Sequence, residues 1–411
     1  MKIFQRAAAV IGAQFGDEGK GLLTDFLAGA GTGVLVVRAN GGAQAGHTVV
    51  TPDGRRHVFG HLGSGSFRGA PTLLARSFVC NPLLLDREWT AVAGLEPRVL
   101  ADPRGLVSTP WDMLVNQAVE AARGRARHGS CGVGFNETIE RCLRPEFRTT
   151  VADLGDRTRL LRILAAIRDD YLPARMAALG LEPDPDLAGL MRSRPLLDGF
   201  LDACRRFLER VRPEEDARAV ALAPQVLFEG AQGLLLDELH PWFPHVTRSR
   251  TGLANPAALC AEAGIERLRA VYVTRWYLTR HGAGPLPTEI PGRPSPLVED
   301  RTNLPNPWQG SLRFGHLDLA LLRQSIRADL AGAGRVDAVP ALALTCLDQA
   351  GPEVTVVQDG RQLPVPRQRL PEILEAATGL AVRWQSHGPT RDDVLAGVGR
   401  SAPKGRPASV L

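Results

Sequence analysis

Between Gly16 and Gly21 the chain sets an acid pair and a lysine among glycines, Gly-Asp-Glu-Gly-Lys-Gly. A glycine-rich turn presents backbone N–H groups to an anion, and Lys20 adds a mobile positive charge, so the stretch has the makings of a phosphate cradle. Carboxylates repel phosphates unless a cation intervenes or one of them does proton chemistry. Asp17 is therefore a Mg²⁺ ligand, a general base, or both. The stretch is not a Walker A loop, because Lys20 is followed by Gly21 and the glycine spacing differs. A second glycine-rich stretch, Asn40 to Thr48, carries Gln44, Gly46 and His47. His47 is a candidate acid or phosphate partner.

The elements that must position these residues are legible around them. Ala7 to Ile11 is an apolar run that predicts a buried strand, and Leu22, Leu23, Phe26 and Leu27 repeat at helical spacing. Val34 to Val37 predicts a strand ahead of the second loop. Further on, residues 108 to 126 predict a helix, and Gln225 to Phe228, Val271 to Leu278 and Ala341 to Leu344 predict strands. Residues 151 to 222 are Leu-, Arg- and Ala-rich with helical periodicity, a helical excursion from the sheet. Residues 291 to 310 form a long Pro-rich loop. This alternation predicts an α/β fold. Its sheet is large and mostly parallel, flanked by helices, with helical and loop insertions and ligands at the strands' carboxyl ends. One domain over residues 1–400 is expected, with a disordered tail at 401–411.

Bulk properties narrow the class. The 411 residues are 44% apolar, enough for a sizeable core, and carry a net charge of +5, mostly from arginine. That balance suits anionic small ligands. No basic run with interleaved aromatics marks a nucleic-acid groove. The six cysteines include no C-x-x-C pair, which argues against a zinc site and for a reducing compartment. No secretory leader or apolar span is visible, so a soluble cytoplasmic protein is expected.

With its loops in view, the sequence resembles the adenylosuccinate synthetase family, whose fold is related to the P-loop proteins. The match runs through Gly16 to Gly21, Ala45 to Thr48, Phe228-Glu-Gly-Ala-Gln-Gly233, Thr279 to Pro285 with Pro287 to Glu289, and Ser386-His-Gly-Pro389. The resemblance implies a C–N ligase. GTP phosphorylates the 6-oxo group of IMP, an amine then displaces phosphate, and the family's amine is L-aspartate. It implies Asp17, Lys20, His47 and Gln232 as catalytic residues, with Asp17 and the Gly46 carbonyl holding Mg²⁺. Gly16, Glu18, Gly19, Gly21, Thr48, Asp348, Ser386, Gly388 and Pro389 would bind the donor nucleotide, GTP or ATP. Gln44, Ser130, Gly132, Thr247 and Arg313 would bind an IMP-like acceptor and the amine. A homodimer is implied, with Arg141 or Arg144 reaching the partner's site.

Departures from the family pattern fall on the acceptor side. The third loop, Arg127 to Asn136, keeps Gly132-Val-Gly134 but has Cys131 where the family has arginine. After Thr247 come Arg248-Ser-Arg250, whose arginines are natural phosphate partners. In the aspartate-binding loop Pro307 and Trp308 stand at threonine positions, Gly310 and Leu312 at two arginine positions, and only Arg313 remains, with Arg301 a possible substitute. Cys346 replaces the lysine before Asp348. The alternatives are a divergent paralogue taking a different amine or carbonyl acceptor, or a nucleotide-binding protein without turnover.

Overall fold

Small and branched apolar residues make Ala7–Gly12 (β1) a strand that can be covered on both faces. Ala8 and Val10 pack with Leu22, Leu23 and Leu27, while Ala7, Ala9 and Ile11 face the larger core cluster with Phe228 and Tyr272. The computed structural model describes residues 6–29, 31–124, 127–299, 303 and 310–397. Arg301, Pro307, Trp308 and the tail at 401–411 lie outside the described residues.

The remaining strands are β2 (Val34–Arg38), β3 (His47–Val50), β4 (Arg56–Phe59), β5 (Thr72–Leu74), β6 (Val99–Ala101), β7 (Val211–Pro213), β8 (Gln225–Glu229), β9 (Arg267–Arg275), β10 (Tyr277–Arg280), β11 (Glu289–Ile290), β12 (Arg313–Asp318), β13 (Asp337–Thr345), β14 (Glu353–Gln358), β15 (Arg361–Pro366), β16 (Val382–Ser386) and β17 (Val394–Ala396). Ten strands form one sheet in the order β17-β16-β13-β9-β1-β8-β2-β5-β6-β7. Only β17 runs antiparallel to its neighbour. A smaller sheet joins β10, β12, β14 and β15, with β11 paired to β12, and β3 and β4 form a separate hairpin.

The helices that matter for the site are α1 (Lys20–Ala28), α2 (Pro82–Ala91), α3 (Pro110–Arg123) and α4 (Phe135–Cys142). Thr109 caps α3, accepting from Asp112 N while the Asp112 carboxylate accepts from Thr109 N at 2.7 Å. This capping box sets the helix start two residues inside the predicted span.

Two expectations need correction. The run Val271 to Leu278 is not one strand. β9 stops at Arg275, and β10 begins at Tyr277 in the other sheet. Trp276 forms the corner, buried, with Nε1 donating to Cys346 O at 2.9 Å. The 151–222 stretch is helical, but it also returns β7 to the main sheet, where Val211 pairs with Val99. It is therefore more than an excursion. Among the described residues no helix is long and apolar enough to cross a membrane.

Candidate active site

The first two loops meet because α1 lies flush on β3. A Cβ on Gly21 would sit 2.7 Å from Thr48 O and 3.1 Å from His47 Cβ, so only glycine allows this approach. Two non-glycine residues at the site hold left-handed backbone: Asp17 at φ 61° and Gln232 at φ 55°. Such conformations cost about 1–3 kcal/mol each and cluster where function requires them.

Asp17 reaches into a cavity of about 1310 Å³. A single small-molecule site occupies roughly 300–1,000 Å³, so this one has room for two ligands. His281 Nε2 lies 3.0 Å from Asp17 Oδ2, and Asn303 Nδ2 donates to the same oxygen at 3.4 Å. Burial pushes the Asp17 carboxyl up, but His281, with Arg275 and Lys20 nearby, more than offsets this and holds it at about 2. Asp17 is thus ionised and can only accept.

His47 is fixed by Glu229, which ends β8. Its Nδ1 lies 2.6 Å from Glu229 Oε1, and Ser64 donates its backbone N–H to Oε2 at 2.9 Å and its hydroxyl to Oε1. Burial opposes the charge on Glu229, but His47, Arg38 and Ser64 outweigh it and hold the carboxyl at about 2. Burial, reinforced by the Arg38 charge, pushes His47 below its ordinary value despite Glu229. A neutral imidazole donating Nδ1–H leaves Nε2 as the second ring nitrogen, and it has no partner among the described residues.

Glu18 does not face the cavity. It is fully buried and folds back into its own loop, accepting from Gln14 N at 3.0 Å and Gly16 N at 2.8 Å. It also pairs with Lys20 Nζ at 2.6 Å. The expected phosphate contact from Glu18 is replaced by a loop-shaping role. Lys20 is correspondingly held rather than mobile, 3% exposed at the cavity wall.

Gly16, Gly19, Gly21, Gln44, Gly46, Thr48, Ser130, Gln232, Thr247, Asp348 and Pro389 line the same cavity as Asp17, Lys20 and His47. Four other predicted residues do not. Ser386 Oγ donates to Gly388 O at 2.7 Å, so this pair shapes the turn ahead of Pro389. Gly132 O accepts from Gln117 Nε2 at 2.9 Å, tying the third loop to α3. Arg313 pairs with Glu289 and donates to Gly282 O and Gly284 O at 3.1 and 2.9 Å. Arg141 cannot reach a partner subunit, because it is buried against Asp112 at 2.8 Å and donates to Val107 O. Arg144 is exposed. His61 and Asn81 are buried, with Asn81 N donating to His61 Nε2 at 2.9 Å. Of the two arginines after Thr247, Arg248 lines the cavity and pairs with Glu140, whereas Arg250 is engaged by Asp237. Burial pushes the Cys131 thiol up to about 11, away from the thiolate that reactivity requires.

Glu229, Arg275 and His281 were not singled out from sequence. Glu229 and His281 lie inside stretches that were, Phe228 to Gly233 and Thr279 to Pro285, so the signal was present without a partner to give it meaning.

The residues present suit Mg²⁺. Among the described residues no group of three or more His, Cys, Asp or Glu side chains could enclose an ion. Asp17 and Gly46 both line the cavity, and a carboxylate and a backbone carbonyl are hard oxygen donors. Mg²⁺ is usually held by one or two carboxylates together with substrate phosphates, and this sparse set fits that habit.

The fold and cavity define a class: an α/β protein with a glycine-rich loop and a large cavity beside a mostly parallel sheet. The sequence model of adenylosuccinate synthetase matches residues 9–351. Adenylosuccinate synthetase 1 of Chromobacterium violaceum is 36% identical over 354 residues, covering 82% of this chain and 76% of its own. The enzyme of Thermoplasma acidophilum is 30% identical over 355 residues, covering 84% and 76%. The chain belongs to the adenylosuccinate synthetase family, and it is a ligase forming a C–N bond. The fold is shared with the fully ligated Plasmodium falciparum adenylosuccinate synthetase, with TM-score 0.77, 18% identity, and 95% of this chain and 100% of that one covered. It is also shared with cyanophage S-2L succinoaminodeoxyadenylate synthetase, solved with dGMP and dATP, with TM-score 0.61, 19% identity and 95% of both chains covered.

Proposed function

We propose that this enzyme phosphorylates the 6-oxo group of IMP or a related nucleotide with GTP and lets an amine displace the phosphate. The products are adenylosuccinate or an analogue, GDP and phosphate. The observation that carries this reading is the convergence of Asp17, Lys20, His47 and Gln232 on one cavity large enough for two ligands. A lactam oxygen is a poor leaving group, and phosphorylation makes it a good one. That step needs a base for the lactam N–H, donors for the transferred oxygens, and fixed positive charge. Asp17 is ionised and takes the proton. Lys20 and the loop N–H groups face the phosphates, and His47, oriented by Glu229, serves the transferred oxygens. Gln232 reads the lactam edge with its amide. Mg²⁺, held by Asp17 and the Gly46 carbonyl, would neutralise charge on the phosphates when bound.

Gln44, Ser130, Thr247 and Arg248 are assigned to the acceptor nucleotide, and Asp348 with Pro389 to the donor base. We place the chain in the cytoplasm as a homodimer, with Arg144 the remaining candidate for reaching the partner's site.

Arg313 favours a second reading for the amine. With Gly310 and Leu312 nearby and its own guanidinium paired to Glu289, it leaves little to hold a dicarboxylate. An amine less charged than L-aspartate then fits better. Phosphate release from GTP and Mg²⁺ with IMP and a panel of amines tests both readings. Saturation by L-aspartate below about 1 mM, the upper end of common KM values, would overturn the second. Asp17→Ala should abolish turnover while nucleotide binding stays within about tenfold. No release with any amine would leave a nucleotide-binding protein without turnover.

A further inference from the structure

We infer that His281 is a positioning residue for Asp17, fixing one carboxylate oxygen so that the other is presented to the lactam N–H. The inference rests on the reaction proposed above for the identity of the proton.

Asp17 stands in a glycine loop on the cavity wall, with its side chain about a quarter exposed. A reacting group that swings loses rate, because a misplacement near 1 Å can cost about 10²-fold. His281 supplies a fixed point. Its Nε2 is 3.0 Å from Asp17 Oδ2, and since the carboxylate only accepts, the imidazole nitrogen donates. His281 lines the same cavity.

The histidine is itself braced from a second sheet. Arg280, buried between Phe15 and Trp242, donates to Ala283 O at 3.3 Å, Pro285 O at 3.0 Å and His245 O at 2.6 Å. Arg313 holds the same turn through Gly282 O and Gly284 O. Ala283 N donates to His128 O at 3.0 Å, and Thr279 Oγ1 donates to Gly16 O at 3.2 Å, beside Asp17. Two arginines thus lock the turn, and the turn carries His281, which holds Asp17 Oδ2 at 3.0 Å against 3.4 Å for Asn303. This gives Arg313 a role that its distance from the cavity otherwise denies it.

The test compares His281→Val, which removes the donor, with His281→Gln, whose Nε2 can still donate. Phosphate release is measured with GTP, MgCl₂, IMP and whichever amine supports turnover in the wild type. His281→Val should lower kcat about ten- to a hundredfold, with KM for GTP and IMP within about threefold, and His281→Gln should recover most of kcat. Wild-type kcat in His281→Val, or equal losses in both variants with KM rising in step, would overturn the inference. A second arm needs no turnover. In protein labelled with ¹⁵N-histidine, the His281 Nε2–H signal should move in Asp17→Ala, and an unmoved signal would overturn the contact. If the wild type releases no phosphate with any amine, the proposed reaction fails, and the labelled protein still decides the positioning.

Discussion

His47 and Glu229 are 182 residues apart in sequence and 2.6 Å apart across the cavity wall. The pair is held by Ser64 from one side and by the charge of the buried Arg38 from another. Glu229→Gln keeps the shape but loses the charge that fixes the imidazole. We expect kcat to fall by about 10²-fold, the lower end of acid–base contributions, with KM for GTP nearly unchanged. Steady-state kinetics check this, and an unchanged kcat would show that His47 does not depend on Glu229.

Asp348 lines the cavity, and burial, with Asp393 close by, raises its carboxyl above the usual range. A carboxylate there accepts from guanine's ring N–H and amino group but meets an acceptor nitrogen in adenine. One charge-assisted hydrogen bond contributes roughly 1.5–3 kcal/mol, so kcat/KM should favour GTP over ATP by about tenfold or more. Asp348→Ala should collapse that preference. Equal use of both nucleotides by the wild type would remove Asp348 from base recognition.

Arg141 makes a strictly structural prediction. It is fully buried, pairs with Asp112 through two guanidinium nitrogens at 2.9 and 2.8 Å, and donates to Val107 O and Phe147 O. Arg141→Ala strands the Asp112 carboxylate and should cost about 3–5 kcal/mol in denaturant unfolding. Apparent mass on size exclusion should not change under native conditions. A shift in mass without loss of stability would restore Arg141 to an interface.

What the sequence made legible was local. The first strand, its glycine loop and α1 announce themselves by apolar run, glycine spacing and helical period, and their positions are within a residue or so of observation. Partnerships over long separations were not legible. Arg141 sits in an amphipathic helix where an arginine is usually solvated, and only Asp112, brought beside it by packing of α3 on α4, makes it a core residue. Glu18 looked like a phosphate-side acid because its neighbours do. Whether a side chain in the short loop between β1 and α1 turns out to the cavity or back into the loop depends on backbone angles that composition does not encode. The break at Trp276 was hidden for a related reason: Thr274 and Arg275 interrupt the apolar run just before it, but two polar residues within a strand do not by themselves mark a change of sheet.

Asp329 offers a test of electrostatics away from the cavity. Its carboxylate accepts from Leu253 N at 2.9 Å and from Tyr272 OH at 2.9 Å. Burial, with Asp237 adding to it, raises the carboxyl from 3.8 to about 6, more than the two hydrogen bonds and Arg250 lower it. A folded-state value above the unfolded one means that the native state holds its proton longer. Stability from this group is therefore present below pH 3.8, is lost as pH rises towards about 6, and is flat above that. The full displacement corresponds to roughly 3 kcal/mol, an upper limit because the side chain is only partly buried by exposure. Asp329→Asn keeps an acceptor for Leu253 N, can donate to the Tyr272 oxygen, and carries no charge. It should be more stable than wild type at pH 8 by about 1–2 kcal/mol, with the gain vanishing near pH 4. Urea unfolding at the two pH values decides it. A variant equally destabilised at both would mean that the carboxylate's hydrogen bonds outweigh the cost of its charge.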